Sequence, residues 1–94
     1  MIIVRNVFIA KPGKASTLAA QFKKAADDAI APPHRILTDV TGDFNRVVLE
    51  YEVESISAFE AQMKEYQTDE KMRSAMKGYE ELFISGYREL LKTV

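Results

Sequence analysis

Hydrophobic and polar residues alternate between residues 46 and 55, a pattern typical of a β-strand with two different faces. Successive side chains of a strand point to opposite sides of the sheet. The apolar face comprises Val47, Leu49, Tyr51 and Val53. The other face comprises Val48, Glu50 and Glu52. The first face is suited to packing on helices, whereas the second needs water, cationic partners or a second subunit.

Three further segments have strand-like sequences. Residues 2–10 are rich in β-branched and aromatic residues and predict a strand that is largely buried on both faces. Residues 34–41 predict another strand, which the turn residues 42–45 connect to the strand at 46–55 as a hairpin with a loop of about four residues. The segment from about Phe83 to Thr93 is compatible with helix or strand. We predict a strand, because a helix there would leave a sheet edge unpaired.

The first predicted helix follows the turn Lys11-Pro12-Gly13-Lys14 and runs from Ala15 to about Ile30. Its apolar residues recur at intervals of four, three and four, which places them on one helical stripe. These residues are Leu18, Phe22, Ala25 and Ala29. The pair Pro32-Pro33 ends the helix, because proline cannot continue it.

A second helical region begins near Ser57, which with Glu60 predicts a capping box. Its first part is expected to run to about Tyr66. The sequence Thr68-Asp69-Glu70 is typical of a new helix start, so the region is either two helices or one kinked helix. Its apolar residues are Phe59, Met63, Tyr66, Met72, Ala75, Met76 and Tyr79. The three methionines predict either ordinary core packing or a flexible wall for an apolar ligand.

The element order β-α-β-β-α-β predicts one α+β domain over residues 1–94, with a ferredoxin-like four-stranded antiparallel sheet and helices on one face. The strands carry apolar residues on both sides, so a single copy would expose a large apolar patch. A second copy packed sheet to sheet would cover it. We therefore expect a two-fold homodimer.

Composition narrows the possible partners and compartments. The net charge of −1 argues against nucleic acid or an anionic membrane as the main partner. No apolar stretch approaches the roughly 20 residues that cross a bilayer. The apolar run at the N-terminus is interrupted by Arg5 and does not predict a signal peptide, so a cytoplasmic location is expected. With no cysteine and a single histidine, a metal site is not expected either.

The opening strand with Lys11-Pro12-Gly13-Lys14, together with the strand 47–55 running into Ala58-Phe59, resembles the dimeric α+β barrel superfamily. The resemblance is to NIPSNAP-like proteins and antibiotic biosynthesis monooxygenase-like domains. It implies a homodimer whose two sheets form a barrel, with a pocket between sheet and helices in each subunit. It does not imply one function, because oxygenases, isomerases and haem enzymes share the fold.

Two departures from this family bear on activity. Cofactor-independent oxygenases of the family present an Asn and, four residues later, a Trp to the pocket, and the matching positions here are Leu49 and Val53. Haem-handling members use a helical histidine, whereas the single histidine here, His34, stands at a predicted strand start beside prolines. We therefore expect neither a cofactor nor the typical oxygenase site.

Few residues are candidates for catalysis. His34 is a possible general base, the alternative being an exposed loop histidine. Asn6, Tyr51 and Tyr87 are polar groups within strands that could orient a ligand or form hydrogen bonds inside the fold. Glu50 and Glu52 share a strand face about 6.6 Å apart along the strand. For these two carboxylates we favour a structural network with strand arginines across the dimer over acid–base catalysis, a wet sheet edge being a further possibility. The arginines available on strands are Arg5, Arg35, Arg46 and Arg88.

Three hypotheses for function follow from the sequence. The first is a homodimer that holds a small apolar or aromatic molecule, without a cofactor, between sheet and helices. The predicted pocket residues are Phe22, Leu49, Tyr51, Val53, Met63 and Met76. The second is a cofactor-independent monooxygenase or isomerase acting on an aromatic or polyketide-like substrate, with His34, Asn6 or Tyr51 handling the proton or orienting the substrate. The third is a structural or interaction dimer without a ligand.

Overall fold

A computed structural model describes residues 1–28 and 33–94 of the chain. In chain order the elements are β1 (Ile2–Ala10), α1 (Ala15–Asp28), β2 (His34–Thr38), β3 (Arg46–Val53), α2 (Ile56–Thr68), α3 (Glu70–Ala75), a 3-10 turn (Tyr79–Glu81) and β4 (Phe83–Lys92). The predicted residue Ala29, the predicted helix end at about Ile30 and the first proline of Pro32-Pro33 lie outside the described residues.

The four strands form one antiparallel sheet in the order β2-β3-β1-β4. In the central pair, Val4 lies opposite Tyr51 and Val7 lies opposite Val48. The two central strands are thus the first and third in sequence, which is the order of a ferredoxin-like sheet. The predicted α+β class and the ferredoxin-like four-stranded antiparallel sheet are confirmed, including the strand at the C-terminal segment.

Two buried clusters lie between the sheet and the helices. One joins Val4 and Tyr51 of the sheet to Phe59 of α2. The other joins Ala10 and Val47 to Leu18 and Phe22 of α1. All of these strand residues belong to one face of the sheet because they are separated by even numbers of positions or paired across strands. The helices therefore pack on this face, which we call the helix face.

An aromatic group extends the second cluster towards β4. The ring of Phe8 lies 5.0 Å from the ring centroids of both Phe22 and Phe83. Phe8 faces Gly86 across the strand pair, and a Cβ at Gly86 would approach the Phe8 ring to 2.9 Å. A glycine at this position therefore leaves room for the Phe8 ring beside β4.

The predicted strand at residues 34–41 is shorter than expected and ends at Thr38. At the next position the side chain of Asp39, through Oδ1, accepts the backbone N–H of Arg46 at 2.8 Å. A side chain thus takes the place of a backbone carbonyl in the ladder, and regular pairing stops. The connection to β3 consequently covers residues 39–45, longer than the predicted loop, with Gly42 and Asn45 at positive φ.

The predicted capping box at Ser57 and Glu60 is wrong. The helix begins two residues earlier, and Ser55 is its N-cap, with Oγ accepting the backbone N–H of Ala58 at 3.1 Å. The residue at the reciprocal position is Ala58, which has no side-chain acceptor, so the cap is a single hydrogen bond rather than a box.

Of the two possibilities left open for the second helical region, the structure has two helices. Asp69 separates α2 from α3 in an extended conformation, with φ −84° and ψ 103°. Its carboxylate accepts the backbone N–H groups of Lys71 and Met72 at 3.0 and 3.2 Å. The acidic cap thus begins a new helix at the position that the sequence indicated.

The opposite side of the sheet, which we call the open face, is not covered by any helix of the described residues. Its side chains come from alternate positions of all four strands. Among them are Ile3, Arg5, Val7, Arg35, Leu37, Val48, Glu50, Glu52, Tyr87, Glu89 and Leu91. Leu37, Tyr87 and Leu91 are large hydrophobic residues with exposed side chains. Within residues 1–28 and 33–94, no helix is both long enough and apolar enough to cross a membrane.

Candidate functional site

A cavity of about 360 Å³ lies on the helix face, between the sheet and the three helices. Its size falls within the range of small-molecule pockets, roughly 300–1,000 Å³. Residues from β1, β2, β3, β4 and all three helices line it. They are Asn6, Phe8, Phe22, Ala25, Ala26, His34, Leu49, Tyr51, Met63, Tyr66, Gln67, Met72, Arg73, Met76, Tyr79 and Arg88. Most of this lining is apolar or aromatic, with a few polar groups among it.

The structure brings most of the predicted pocket residues together. Those in the lining are Phe22, Leu49, Tyr51, Met63 and Met76. Val53 is not part of the lining. It lies two residues beyond Tyr51 on the same strand face, where it is buried against Val4 and Phe59 in the core under α2. This end of the sheet is filled by side chains, whereas the middle of the helix face is not.

The methionine-containing wall of the cavity comes from α2 and α3. Met63 projects from α2, and Met72 and Met76 belong to the region of α3. The side-chain amide of Gln21 on α1 donates to the backbone carbonyls of Ala75 and Lys77 at 3.0 and 3.1 Å. The short helix α3 is therefore tied to α1, which holds the wall over the cavity.

Tyr51, Tyr66 and Tyr79 all line the cavity, and the pKa of the first two is raised. Burial raises the pKa of Tyr51 to about 12, and burial is also the main cause of a raised pKa of Tyr66. The hydroxyl of Tyr66 accepts a hydrogen bond from the Gln62 amide at 3.0 Å. Among the described residues, Tyr51 has no hydrogen-bond partner for its hydroxyl. The hydroxyls of Tyr51 and Tyr66 are both neutral at physiological pH, and of these two Tyr51 is the one placed to donate to a ligand.

His34 is the first residue of β2, opposite Tyr51 in the sheet, and not a loop residue. Its side chain is only 17% exposed, and Nε2 lies 2.9 Å from Oδ1 of Asp27 on α1. Hydrogen bonds from His34 and then from Lys23 lower the pKa of Asp27. The carboxylate therefore stays ionised beside the imidazole, which orients the ring at the edge of the cavity.

Asn6 and Arg88 form a polar pair in the lining. They lie opposite each other on the adjacent strands β1 and β4. Asn6 is 8% exposed, and its Oδ1 accepts a hydrogen bond from Nε of Arg88 at 2.6 Å. The guanidinium carbon of Arg88 lies 5.3 Å from the ring centroid of Phe59. The amide and the aromatic ring together fix the position of this cation.

The two carboxylates considered for acid–base catalysis are on the open face, away from the cavity. Glu50 has a side chain that is 6% exposed and lies between two arginines. It accepts hydrogen bonds from Nε of Arg5 at 2.8 Å and from Nε of Arg35 at 2.6 Å, and Arg5 also reaches Glu89 at 3.5 Å. Burial would raise the pKa of Glu50, but the two guanidinium groups outweigh it and lower that pKa. Glu50 thus pairs with strand arginines as predicted, but within one chain, whereas the prediction placed the network across the dimer.

The rest of the predicted network takes no part in it. Glu52 is exposed and forms no ion pair with any described residue. Arg88 is on the helix face, because it pairs with Asn6 rather than with Arg5 or Val7. Tyr87 is on the open face and 57% exposed, so it does not contribute to the cavity.

Solved structures of other proteins have the same fold as this chain, although sequence comparisons find no relative. Neither family models nor curated protein sequences give a match to the chain. Among solved structures, a NIPSNAP domain protein from Burkholderia xenovorans matches with a TM-score of 0.85 at 14% identity, over 100% of this chain and 95% of that one. A NIPSNAP family protein from Agrobacterium tumefaciens matches with a TM-score of 0.85 at 10% identity, over 99% of this chain and 92% of the other.

The chain has the fold of these NIPSNAP proteins. A crystal structure of an antibiotic biosynthesis monooxygenase matches as well, with a TM-score of 0.73 at 13% identity, over 100% of this chain and 99% of the other. The resemblance noted in the sequence is therefore confirmed for the fold. At these identities the likeness concerns the fold alone, so function has to be argued from the cavity.

Three charged residues of the site were not assigned to it from the sequence. Arg73 and Arg88 line the cavity, and Asp27 contacts His34. Arg88 could be assigned to the cavity only once the strand register was known, because its position opposite Asn6 puts it on the helix face. The contact between Asp27 and His34 joins a helix to a strand, which spacing in the sequence does not predict.

Proposed function

We propose that this protein is a homodimer that binds a small apolar or aromatic molecule in the cavity between sheet and helices. The observation that carries the proposal is the cavity of about 360 Å³ with a largely aromatic and methionine-containing lining. A packed core of this size rarely leaves voids much larger than a water molecule. A space of this volume, with few but convergent polar groups, is typical of a ligand site.

The homodimer is supported by the open face. Leu37, Tyr87 and Leu91 leave large apolar surfaces in water on that side of the sheet. Monomeric proteins rarely expose contiguous apolar patches of this kind. A second copy related by a two-fold axis would cover both open faces at once, and the arginine-paired Glu50 would enter the interface already neutralised.

Binding is tested with N-phenyl-1-naphthylamine, an uncharged aromatic probe whose fluorescence rises in apolar surroundings. We expect saturable binding by the wild-type protein. Ala26→Leu places a larger side chain in the lining and should weaken binding at least about tenfold, because the ligand and the new side chain compete for the same space.

The matched control is Ala20→Leu, the same change at an exposed position of the same helix, which should bind as the wild type does. An absence of saturable binding by the wild type would contradict the proposal. Equal weakening by both variants would show that the probe binds elsewhere.

A second candidate function is a cofactor-independent oxygenase or isomerase. The observation that favours it is that His34, Asn6 and Tyr51 all line the same cavity, with His34 oriented by Asp27. Oxygen uptake with a panel of anthrones and hydroquinones tests it. Turnover that is lost in His34→Ala supports this function, and an absence of turnover by the wild type contradicts oxygenation of these substrates.

A further inference from the structure

We propose that the ligand of this cavity is a small aromatic carboxylate whose negative charge is bound by Arg88. This inference rests on the proposed function and names the chemical class that the same site selects. It depends on how the guanidinium of Arg88 is held, on which donors it leaves free, and on the absence of any acidic side chain beside it in the described residues.

The position of Arg88 is fixed before any ligand binds. A guanidinium has five N–H donors, and only Nε–H is used here, in the 2.6 Å hydrogen bond to the buried Oδ1 of Asn6. The ring of Phe59 lies against the guanidinium from another side. The four N–H groups on the two Nη atoms make no hydrogen bond to the described residues. Two of them form the parallel pair that matches the two oxygens of a carboxylate.

The other strand arginines show what Arg88 lacks. Arg5 and Arg35 both pair with Glu50 on the open face. Arg88 has no carboxylate partner within residues 1–28 and 33–94. Its neighbour Glu89 points to the open face, where it reaches Arg5. The cation beside the cavity is therefore left without a counter-charge from the described part of its own chain.

The charged side chains that line the cavity in the described residues are all positive. Among the described residues the lining contains two arginines, Arg73 from α3 and Arg88 from β4, and neither aspartate nor glutamate. Both arginines are exposed residues, and two positive charges beside the cavity attract an anionic ligand to it. The remaining lining is aromatic and aliphatic, so the matching ligand has an apolar body and one acidic end.

The test uses a pair of probes that differ in charge but hardly in shape, 2-naphthoate and 2-naphthamide, titrated calorimetrically at fixed salt. We expect the wild type to bind the carboxylate about tenfold to a hundredfold more tightly than the amide, as for a charged hydrogen-bonded pair. Arg88→Gln should bring this ratio close to one and leave the affinity for the amide within about threefold.

Two further variants separate a specific role of Arg88 from general electrostatics. Lys24→Gln removes one positive charge from an exposed position of α1 outside the lining and should keep the wild-type ratio. Asn6→Asp places a carboxylate of the same size 2.6 Å from Arg88 and should abolish the preference for naphthoate. The second variant keeps the test decisive even where Arg88→Gln does not fold, which far-ultraviolet circular dichroism monitors.

The outcomes distinguish this inference from the proposed function. Equal binding of the two probes by the wild type overturns the carboxylate assignment and leaves the apolar cavity standing. A preference for naphthoate that survives both Arg88→Gln and Asn6→Asp overturns the role of Arg88. If neither probe binds, the proposed function fails together with this inference.

Discussion

Glu50 is buried even though it lies on the uncovered face of the sheet. It lies on a sheet face that the described helices leave open, yet its carboxylate is almost completely buried by Arg5 and Arg35. A buried carboxylate is tolerated because both oxygens accept hydrogen bonds from cations. Glu89, which Arg5 also reaches, balances the second guanidinium, so the four charges in the middle of the open face cancel.

The variant Glu50→Gln should lower the free energy of unfolding by about 1–3 kcal/mol, since it leaves two guanidinium groups without their shared anion. Glu52→Gln is the matched control. It is the same change on the same face of the same strand, at an exposed position, and should stay within about 0.5 kcal/mol of the wild type. Urea denaturation at one fixed protein concentration measures both, and equal effects of the two variants would contradict the role assigned to Glu50.

This stabilisation should depend on pH. The pKa of Glu50 in the folded chain is below its ordinary value of 4.5, so the unfolded chain takes up a proton there at higher pH than the folded chain does. The contribution is therefore complete above that ordinary value and is lost as the pH falls through the folded-state pKa. The difference in unfolding free energy between wild type and Glu50→Gln should shrink in acid. A difference that grows on acidification would contradict the assignment.

At the scale of elements, the start of α2 is held by one side chain. Ser55→Ala removes the hydrogen bond to the backbone N–H of Ala58 and should cost about 0.5–2 kcal/mol in thermal or urea unfolding. Ser57→Ala, the same change inside the first turn, should have an effect near zero, because alanine has the higher helix propensity there. A larger loss from Ser57→Ala would restore the capping position that the sequence first suggested.

The sequence predicted those elements correctly for which the hydrophobic periodicity and the capping or turn residues at the ends agree. Alternation identified the β3 face of Val47, Leu49 and Tyr51, and the cap at Asp69 marked the start of α3. It failed where tertiary contacts decide between local signals. The choice between Ser55 and Ser57 depends on where β3 leaves the sheet, and the end of β2 depends on a hydrogen bond from Arg46 to Asp39 across the hairpin. Neither the N-cap of α2 nor the end of β2 can be predicted from a few neighbouring residues.

The candidate site was predictable in composition more than in geometry. The aromatic and methionine residues of the lining belong to amphipathic stripes, which are visible in the sequence. Phe59 and Val53 are buried in the core, whereas Met63 and Met76 border the cavity, and the spacing of apolar residues along the chain does not separate these two groups. The pairing of Asn6 with Arg88 needs the β1–β4 register, which a separation of 82 residues conceals.

On the scale of the whole molecule, the open face predicts self-association. Light scattering at micromolar concentration should give twice the chain mass of 10.6 kDa. Tyr87→Lys places a charge on the open face, within the proposed interface, and should shift the mass towards one chain. Phe44→Lys alters an aromatic residue that is more exposed, at 85%, but lies in the loop before β3, and should leave the dimer intact. A wild-type mass near that of one chain would contradict the dimer.

The central claim is that the space between sheet and helices is a ligand site. The most direct measurement is a ¹H–¹⁵N correlation spectrum of the labelled protein during titration with N-phenyl-1-naphthylamine. We predict saturable shifts at amides of the lining on both sides of the cavity, among them Phe22, Leu49 and Met63, with Leu37 and Leu91 on the open face unchanged. Shifts confined to the open face, or no shifts at a saturating probe concentration, would contradict the account.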